Sequence, residues 1–398
     1  MAIQFNLKWL YLVFICFFFT LKSKAGDSNI IVGAEQFSEY QYLLKDKNIA
    51  LLVNHTSLVK DTHLVDFLLA NQINIGAIFS PEHGFRGISA AGENVENSRE
   101  DKIDIPIYSM YGKNKKPQKK QLKSIDLLVF DIQDVGVRFY TYISSMHYFM
   151  EVCSKYQIPM LVLDRPNPNG HYIDGPVLAE DYKSFVGMHP IPVVHGLTIG
   201  ELAMMINGEG WLEQNKQCDL TVIKVKNYEH NIPYSLPVKP SPNLPNDLSI
   251  ALYPSLGFFE GTSISVGRGT QLPFQMLAYP DKRLGDFIAS PDAIDGSWEK
   301  LNYAKQDLYG EKFIEAKKNG ISLSYLIKWQ KKLESIDKPM ITRLEFFDKL
   351  AGTDKLRLQI ESSKTVEEIK ESWKDDLQNY QQMREKYLLY KDSNLITY

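Results

Sequence analysis

The sequence predicts an α/β fold in which a parallel-sheet domain is followed by a second, smaller α+β domain. Four short apolar runs carry this prediction and lie at residues 49–53, 75–79, 127–131 and 160–164. Runs without alternating polar residues are typical of strands that are buried on both faces of a parallel sheet. Between them, residues 63–72 and 141–157 have the apolar spacing of helices. This alternation indicates βαβ units with right-handed crossovers.

Two further elements complete the first domain. Thr198 opens a capping-box pattern, which predicts the start of a helix, and residues 220–226 predict another strand. The proline-rich stretch at 234–255 then predicts neither a regular helix nor a central strand. We place the domain boundary there, between a first domain of residues 26–247 and a C-terminal domain of residues 248–398 that closes over it.

The first 25 residues have the pattern of a secretory signal peptide. Lys8 supplies a positive charge, residues 9–21 form a short apolar core, and a small-residue cleavage pattern ends at Ala25. An uncleaved membrane anchor is the alternative. No later segment reaches the roughly 20 apolar residues that span a bilayer. We therefore expect an exported protein, periplasmic or else secreted or surface-associated, without stable membrane insertion after signal cleavage.

Charge balance and cysteine count argue against several classes of protein. The chain has 45 basic and 48 acidic residues, and its densest basic cluster, at 113–123, is typical of a solvated loop. We therefore expect no nucleic-acid partner. After signal removal only Cys153 and Cys218 remain. They could pair, but the helical apolar pattern around Cys153 favours a buried, unpaired thiol.

Polar sequences follow all four apolar runs, and this is the most informative feature of the chain. The second run continues into SPEHGFRG, the third into IQDVGVRFYTY, the fourth into RPNPNG, and the first into Asn54 and His55. The carboxyl ends of parallel strands lie along one edge of their sheet, so these side chains should converge. The sequence therefore predicts a binding or catalytic site at this edge.

The residue types at this edge favour carbohydrate chemistry. The sequence has no G-x-S-x-G motif of a serine hydrolase, no P-loop, and no G-x-G-x-x-G motif after its first strand. A carboxylate metal site at Asp131 and Asp134 stays open, although no histidines stand at metal-site spacing, and we expect neither metal nor cofactor. Carboxylates that serve as acid, base or nucleophile, together with arginines, asparagines and aromatic rings, suit a sugar best.

Long motifs in the sequence resemble one known family. They include DLLVFDIQDVGVRFYTYISSM, VLDRPNPNGHYIDGP, PSPNLPN and LYPSLGFFEGTSISVGRGT. From about residue 45 to the C-terminus, the chain is similar to the exo-β-N-acetylmuramidase family, often called NamZ and formerly a domain of unknown function. The resemblance implies a Rossmann-like parallel-sheet domain joined to a smaller auxiliary domain, with the site in the cleft between them. It also implies hydrolysis that releases N-acetylmuramic acid from the non-reducing ends of peptidoglycan fragments.

Residues at the predicted edge and in these motifs are the candidates for the site. Glu82 directly follows Pro81 and a buried strand, and it is the candidate general acid. Glu93 is the candidate partner carboxylate, with Asp131 or Asp134 as alternatives. The candidate substrate-binding residues are Asn54, His83, Asp131, Asp134, Arg138, Tyr140, Asp164, Arg165, Asn167, Asn169, His195, Glu260 and Arg268. Of the arginines, we rank Arg138 first as the residue that binds the lactyl carboxylate of N-acetylmuramic acid.

Structural roles compete with these assignments. Asp131 and Asp164 could cap turns, Arg138 could neutralise Asp134, and His195 could be a buried scaffold residue. For the whole protein, a non-catalytic muropeptide-binding protein is the main alternative, and a carboxylate-metal hydrolase acting on peptidoglycan amides is a third. The glutamates at the edge favour the enzyme, because a binding protein does not need an acid in apolar surroundings.

Overall fold

The computed structural model describes residues 30–81, 84–85, 98–100, 103–112, 114–292, 302–317, 320–392 and 396–397. The predicted signal peptide, residues 1–25, lies outside these ranges and stays a prediction. Within these ranges, no helix is long and apolar enough to cross a membrane.

The strands and helices alternate through the first half of the chain, and helices dominate the end. The strands are β1 (Asn48–Val53), β2 (Leu58–Val59), β3 (Thr62–His63), β4 (Asn74–Ser80), β5 (Ser98–Glu100), β6 (Ile103–Ser109), β7 (Leu127–Asp131), β8 (Met160–Leu163), β9 (Tyr172–Ile173), β10 (Leu220–Ile223), β11 (Met276–Tyr279), β12 (Phe287–Ala289), β13 (Leu308–Lys312) and β14 (Ile396–Thr397). The α-helices are α1 (Phe37–Leu44), α2 (Leu64–Ala70), α3 (Tyr142–Tyr156), α4 (Ile199–Gly208), α5 (Asp247–Leu256), α6 (Ser324–Glu334), α7 (Leu344–Ala351), α8 (Lys355–Glu361), α9 (Val366–Glu371) and α10 (Lys374–Glu385).

The main sheet has the strand order β10-β8-β7-β1-β4-β6-β5. All neighbouring strands in it are parallel except β5, which runs antiparallel to β6 at the edge. The four apolar runs of the sequence form β1, β4, β7 and β8, so the predicted parallel sheet is confirmed. A smaller antiparallel sheet, β11-β13-β12, lies in the C-terminal part of the chain.

Both faces of the main sheet are covered by helices. In β1, Ile49, Leu51 and Val53 belong to one buried apolar cluster, which also contains side chains of α1 and α2. Ala50 and Leu52 belong to a second cluster, which contains side chains of α3 and α4. Since alternate residues of a strand point to opposite faces, this division explains why the runs are unbroken in the sequence.

The second cluster also extends from α3 into helices α6 to α10, so it connects the two parts of the chain. Our division into domains at 247/248 falls at the start of α5 and stays a prediction.

One predicted irregular segment is partly helical. Helix α5 occupies the end of the proline-rich stretch, with Asn246 as its N-cap and Pro254 inside it. Proline has no N–H, so the carbonyl of Ile250 loses its usual helical donor. The side chain of Asn169 donates to this carbonyl instead, at 3.3 Å. The prediction that this stretch excludes a regular helix was wrong, because a distant side chain replaces the lost hydrogen bond.

The two cysteines of the first domain form a disulfide. Cys153 in α3 is bonded to Cys218, and their Cα atoms lie 5.4 Å apart. The preference for an unpaired thiol at Cys153 was therefore wrong. The helical pattern correctly indicated burial, but it carries no information on a partner 65 residues away.

The C-terminal segment of the chain binds back onto the first domain. The Tyr380 hydroxyl donates to the carbonyl of His195 at 2.6 Å, and the Tyr390 hydroxyl donates to Oδ2 of Asp164 at 2.6 Å. Leu389 N–H donates to Glu201 at 2.8 Å. These contacts connect the last helix and its tail to the loops that follow the central strands.

Asp164 lies at the end of β8 and accepts hydrogen bonds at the start of α4. The N–H of Gly200 donates to Oδ1 at 2.7 Å, and the Thr198 hydroxyl donates to Oδ2 at 2.7 Å. The pKa of Asp164 is raised to about 6, chiefly by burial and also by the charge of Glu201, against the opposing effect of the hydrogen bond from Tyr390. This carboxyl therefore keeps its proton up to a higher pH in the folded protein than an ordinary aspartate does.

We predict that Asp164→Asn changes the pH dependence of stability. A folded-state pKa of about 6, above the ordinary value of 3.8, means that the folded protein binds more protons between these values. The free energy of unfolding should therefore fall in the wild type as pH rises through this range. Urea unfolding at pH 4.5 and 7 should give a wild-type-minus-variant difference that falls by about 2 kcal/mol. A difference independent of pH would contradict the assignment.

Candidate functional site

The central strands end next to one another, as the sequence predicts. Val53 of β1 pairs with Asp131 of β7, and Leu52 of β1 pairs with Phe79 of β4. Asn54, Ser80 and the segment after Asp131 are therefore neighbours at the carboxyl edge of the sheet. The predicted convergence of the strand ends is confirmed.

Three of the predicted residues lie outside the described part of the chain. They are the candidate catalytic glutamates Glu82 and Glu93, and the candidate substrate-binding residue His83. Glu82 is two residues beyond Ser80, the last residue of β4. Their roles stay predictions.

Asp131 and Arg165 form a buried ion pair. The guanidinium donates from Nε to Oδ1 at 2.6 Å and from Nη2 to Oδ2 at 2.8 Å. Nη2 also donates to the carbonyl of Leu58 at 2.9 Å, so the pair connects the ends of β7 and β8 with the start of β2. Both carboxylate oxygens of Asp131 are engaged. This contact accounts for both residues structurally and argues against Asp131 as the partner carboxylate.

Arg138 is fully buried and does not contact Asp134, so both roles considered for it need correction. Its guanidinium donates to three backbone carbonyls, those of Pro176 at 2.8 Å, Ile191 at 2.7 Å and Leu350 at 3.0 Å. Burial lowers the pKa of Arg138 to about 9. A side chain with no exposed surface cannot meet a substrate carboxylate in this conformation.

Asparagine side chains at this edge close turns. Asn54 Oδ1 accepts from the N–H of Thr56 at 2.9 Å. Asn167 donates to the carbonyl of Leu197 at 2.8 Å and accepts from the N–H of Asn169 at 2.8 Å. Asn169 in turn donates to the carbonyl of Val135 at 2.8 Å. We therefore assign Asn167 and Asn169, like Asp164, to the scaffold of the site.

Among the buried polar atoms that have no hydrogen-bond partner within the described ranges, four lie at or beside this edge. They are Asn54 Nδ2, Ser80 Oγ, Asp134 Oδ1 and His195 Nε2. Asn54, Ser80 and Asp134 follow or end β1, β4 and β7, which are adjacent strands. Buried polar atoms in proteins are normally paired, so these four mark the part of the edge whose hydrogen bonding is incomplete.

Aromatic rings lie beside Asp134. Tyr140 makes edge-on contacts with Tyr142 and Tyr253, at centroid distances of 4.9 and 6.1 Å. Burial raises the pKa of Tyr140 well above its ordinary value, and Tyr142, Tyr253 and the charge of Asp134 add to this shift. The Tyr140 hydroxyl donates to the carbonyl of Pro240 at 2.8 Å. We call Tyr140, Tyr142 and Tyr253 the tyrosine wall.

The tyrosine wall contacts Phe274, which lies beside the predicted binding residue Arg268 of the C-terminal part. Tyr253 contacts Phe274 edge-on at 4.9 Å, and the guanidinium of Arg268 lies 5.1 Å from the Phe274 ring centre. Arg268 pairs with Glu260 through Nε at 2.8 Å and Nη2 at 2.6 Å. Its side chain is 32% exposed, in contrast to the buried Arg138 and Arg165.

Sequence reasoning missed Ser80 and Tyr253, whereas Tyr142 ends the segment DVGVRFYTY whose aromatic residues it associated with the sugar ring. Ser80 had a signal, since it directly follows the apolar run of β4. Tyr253 had none, because it belongs to a helix and resembles an ordinary core residue in the sequence. Among the described residues, no group of three or more His, Cys, Asp or Glu side chains could hold a metal ion.

Two family models match most of the chain. The model described as "Exo-beta-N-acetylmuramidase NamZ, N-terminal" matches residues 49–248, and its C-terminal counterpart matches residues 251–390. A Bacillus subtilis (strain 168) protein, "Peptidoglycan beta-N-acetylmuramidase NamZ", is 40% identical over 380 residues. The matched region covers 88% of this chain and 89% of that relative.

Two crystal structures of DUF1343 family proteins from Bacteroides fragilis share this fold. The first is 45% identical, with a TM-score of 0.83, and the match covers 92% of this chain and 99% of that one. The second is 30% identical, with a TM-score of 0.78, and the match covers 91% and 99%. Both similarities extend over the main sheet and the C-terminal part.

We predict that Arg165→Met strongly destabilises the protein. The substitution leaves the Asp131 carboxylate buried without its cation, which typically costs about 3–5 kcal/mol. Urea unfolding at pH 7 measures this loss. Arg283→Met is the matched control, because Arg283 forms an exposed ion pair with Asp281, and this variant should unfold nearly like the wild type. Equal stability of the two variants would show that the buried pair is unimportant.

Proposed function

Because the chain belongs to the exo-β-N-acetylmuramidase NamZ family, we propose that it releases N-acetylmuramic acid from the non-reducing ends of peptidoglycan fragments. The observation that carries this proposal is the 40% identity to the Bacillus subtilis peptidoglycan enzyme over 88% of this chain. The carboxyl edge supports it, since it combines unpaired polar atoms with an aromatic wall, and sugar sites typically use both. The protein is thus a glycosidase.

The proposed chemistry uses two carboxylates. Glu82 acts as the general acid and protonates the glycosidic oxygen as the bond to the departing sugar breaks. Glu93 is our candidate for the partner that assists attack at the anomeric carbon. The engagement of Asp131 with Arg165 supports this choice, because it removes one of the alternatives.

Arg268 is our revised candidate for the lactyl carboxylate of the substrate. The family's sugar differs from N-acetylglucosamine by this negatively charged ether group. A guanidinium matches a carboxylate in shape and charge. Of the three arginines considered, Arg138 and Arg165 are buried among protein partners, whereas Arg268 is partly exposed beside the ring of Phe274.

We also propose that the protein is exported. Its proposed location is the periplasm, and secretion or surface association is the alternative. The signal-peptide pattern of residues 1–25 supports export. The disulfide between Cys153 and Cys218 supports it independently, because such bonds persist mainly in oxidising compartments.

We predict that Glu82→Gln abolishes most turnover on a chromogenic β-N-acetylmuramide. The amide keeps the shape of the side chain but cannot donate the proton, so kcat should fall by roughly 10² or more. The matching glucosaminide is the specificity control. A folded variant with wild-type turnover would refute the role of Glu82. A folded wild type that binds muropeptides but cleaves neither substrate would favour the non-catalytic binding protein instead.

We predict that Arg268→Met selectively impairs hydrolysis of the muramide. Losing the proposed ion pair between Arg268 and the lactyl carboxylate of the substrate should lower kcat/KM for the muramide by roughly 10- to 100-fold. The glucosaminide has no lactyl group, so its hydrolysis should change little. Arg283→Met serves as the control for loss of a surface arginine and should behave like the wild type on both substrates. An equal loss on both substrates would mean that Arg268 does not bind the lactyl group.

A further inference from the structure

An open groove lies at the start of α7, in the C-terminal part of the chain. It has a volume of about 560 Å³ and is lined by Arg343, Leu344, Glu345, Phe346 and Lys349. Cavities that bind small molecules typically measure roughly 300–1,000 Å³. Leu344 is 49% exposed, although it is a large apolar residue. The groove therefore has room for a ligand and an accessible apolar side chain in its wall.

The charges of the groove favour an anionic ligand. Arg343 and Lys349 contribute two positive charges to its lining, and Glu345 contributes one negative charge. The Glu345 side chain is 93% exposed, and its carboxylate lies 3.8 Å from Lys349 Nζ. An exposed pair at this distance gains little free energy, so it does not hold Lys349 away from a ligand. A carboxylate that enters the groove thus meets an excess of positive charge.

The guanidinium of Arg343 is held in place beside the groove. Its central carbon lies 4.3 Å from the ring centre of Phe346, and its Nη1 donates to the carbonyl of Glu260 at 3.4 Å. The carboxylates of Glu260 and Glu345 form ion pairs with other cations and not with Arg343. A guanidinium that is fixed without a carboxylate partner is preorganised to bind one.

The groove lies next to Arg268, our candidate for binding the lactyl carboxylate of the cleaved sugar. The carboxylate of Glu260 pairs with Arg268 at 2.6 Å, and the carbonyl of the same residue accepts from Arg343. The N–H of Arg343 also donates to the carbonyl of Gly261 at 3.0 Å. A Cβ on Gly261 would lie 2.7 Å from Cβ of Phe347, so this segment packs directly against α7. The two guanidinium groups therefore contact one and the same residue.

A second muramic acid of the substrate fits this arrangement. In the glycan of peptidoglycan, one glucosamine unit separates successive muramic acids, and each muramic acid has its own lactyl ether. That ether carries a carboxylate beside a methyl group. The carboxylate matches the guanidinium of Arg343 in shape and charge, and the methyl group matches the exposed side chain of Leu344. The second lactyl group cannot share Arg268 with the first, so it needs a nearby cation of its own.

We propose that the groove at the start of α7 binds the lactyl carboxylate of the second muramic acid, counted from the non-reducing end, an inference that rests on the proposed function. The groove is then a binding subsite and takes no part in bond cleavage. A fragment with a single muramic acid gains nothing from it. The protein should therefore prefer glycan fragments that contain two muramic acids.

Three peptide-free substrates test this preference. They are the disaccharide of N-acetylmuramic acid and N-acetylglucosamine, the tetrasaccharide that repeats this unit, and a tetrasaccharide in which N-acetylglucosamine replaces the second muramic acid. The initial rate of N-acetylmuramic acid release is measured for each. Wild-type kcat/KM should be about 10-fold higher for the natural tetrasaccharide than for the disaccharide, because a charge-assisted hydrogen bond is gained. The substituted tetrasaccharide should behave like the disaccharide.

Arg343→Met then tests the contact itself. The ratio of tetrasaccharide to disaccharide kcat/KM should fall from about 10 to about 1, and because both values come from one protein, a partial folding defect cancels. Arg283→Met is the matched control, since Arg283 is also an exposed arginine but pairs with Asp281, and it should retain the wild-type ratio. Arg268→Met should lower both values alike and keep the ratio, because both substrates carry the first lactyl group.

Several outcomes would overturn the inference. Equal wild-type kcat/KM for the disaccharide and the natural tetrasaccharide would do so, as would an unchanged ratio in Arg343→Met. An equal preference for the substituted tetrasaccharide would assign the gain to chain length. A loss in Arg343→Met that is confined to a peptide-bearing disaccharide would assign the groove to a carboxylate of the peptide. In all these cases the disaccharide is cleaved and the proposed function stands. Absence of cleavage of any muramide by the wild type would refute the proposed function as well.

Discussion

The buried ion pair between Asp131 and Arg165 limits how the rest of the carboxyl edge can be built. A parallel sheet brings the polar sequence after every strand to the same edge, where water is largely excluded. Each charge there must find a partner, because an isolated buried charge is far costlier than a paired one. Asp131 and Arg165 neutralise each other, and Arg165 also binds the start of β2 through the carbonyl of Leu58. Three segments that are distant in sequence thus depend on a single contact.

The same requirement explains which predictions from sequence succeeded. The four strands, and the sheet edge at which they end, can be predicted from local sequence alone. A strand that is buried on both faces has apolar residues at consecutive positions, and such a run is visible in the sequence. The role of each polar side chain does not follow from local pattern. Arg138 binds the carbonyl of Leu350, 212 residues away, and Asn169 binds that of Ile250, 81 residues away. Nothing near either residue in the sequence indicates these partners.

The contacts of the C-terminal segment are likewise not predictable from local sequence. Its helices are predictable from their spacing, but their attachment to the first domain is not. Tyr380 and Arg384 both bind the loop of His195 and Gly196, and Tyr390 binds Asp164 at the end of β8. The last helix therefore supports loops of the site, although the residues that line the site lie far from it in the chain.

Not every buried polar atom near this edge finds a partner, in contrast to the carboxylates of Asp131 and Asp164, whose oxygens all accept hydrogen bonds. Asp134 Oδ1 and His195 Nε2 have no partner within the described ranges, and Nε2 of His195 lies 3.8 Å from Oδ2 of Asp134. An unsatisfied buried donor or acceptor costs about 1–3 kcal/mol. The folded protein therefore carries this cost beside the edge at which the polar segments converge, whereas the ion pair of Asp131 and Arg165 avoids it by local pairing.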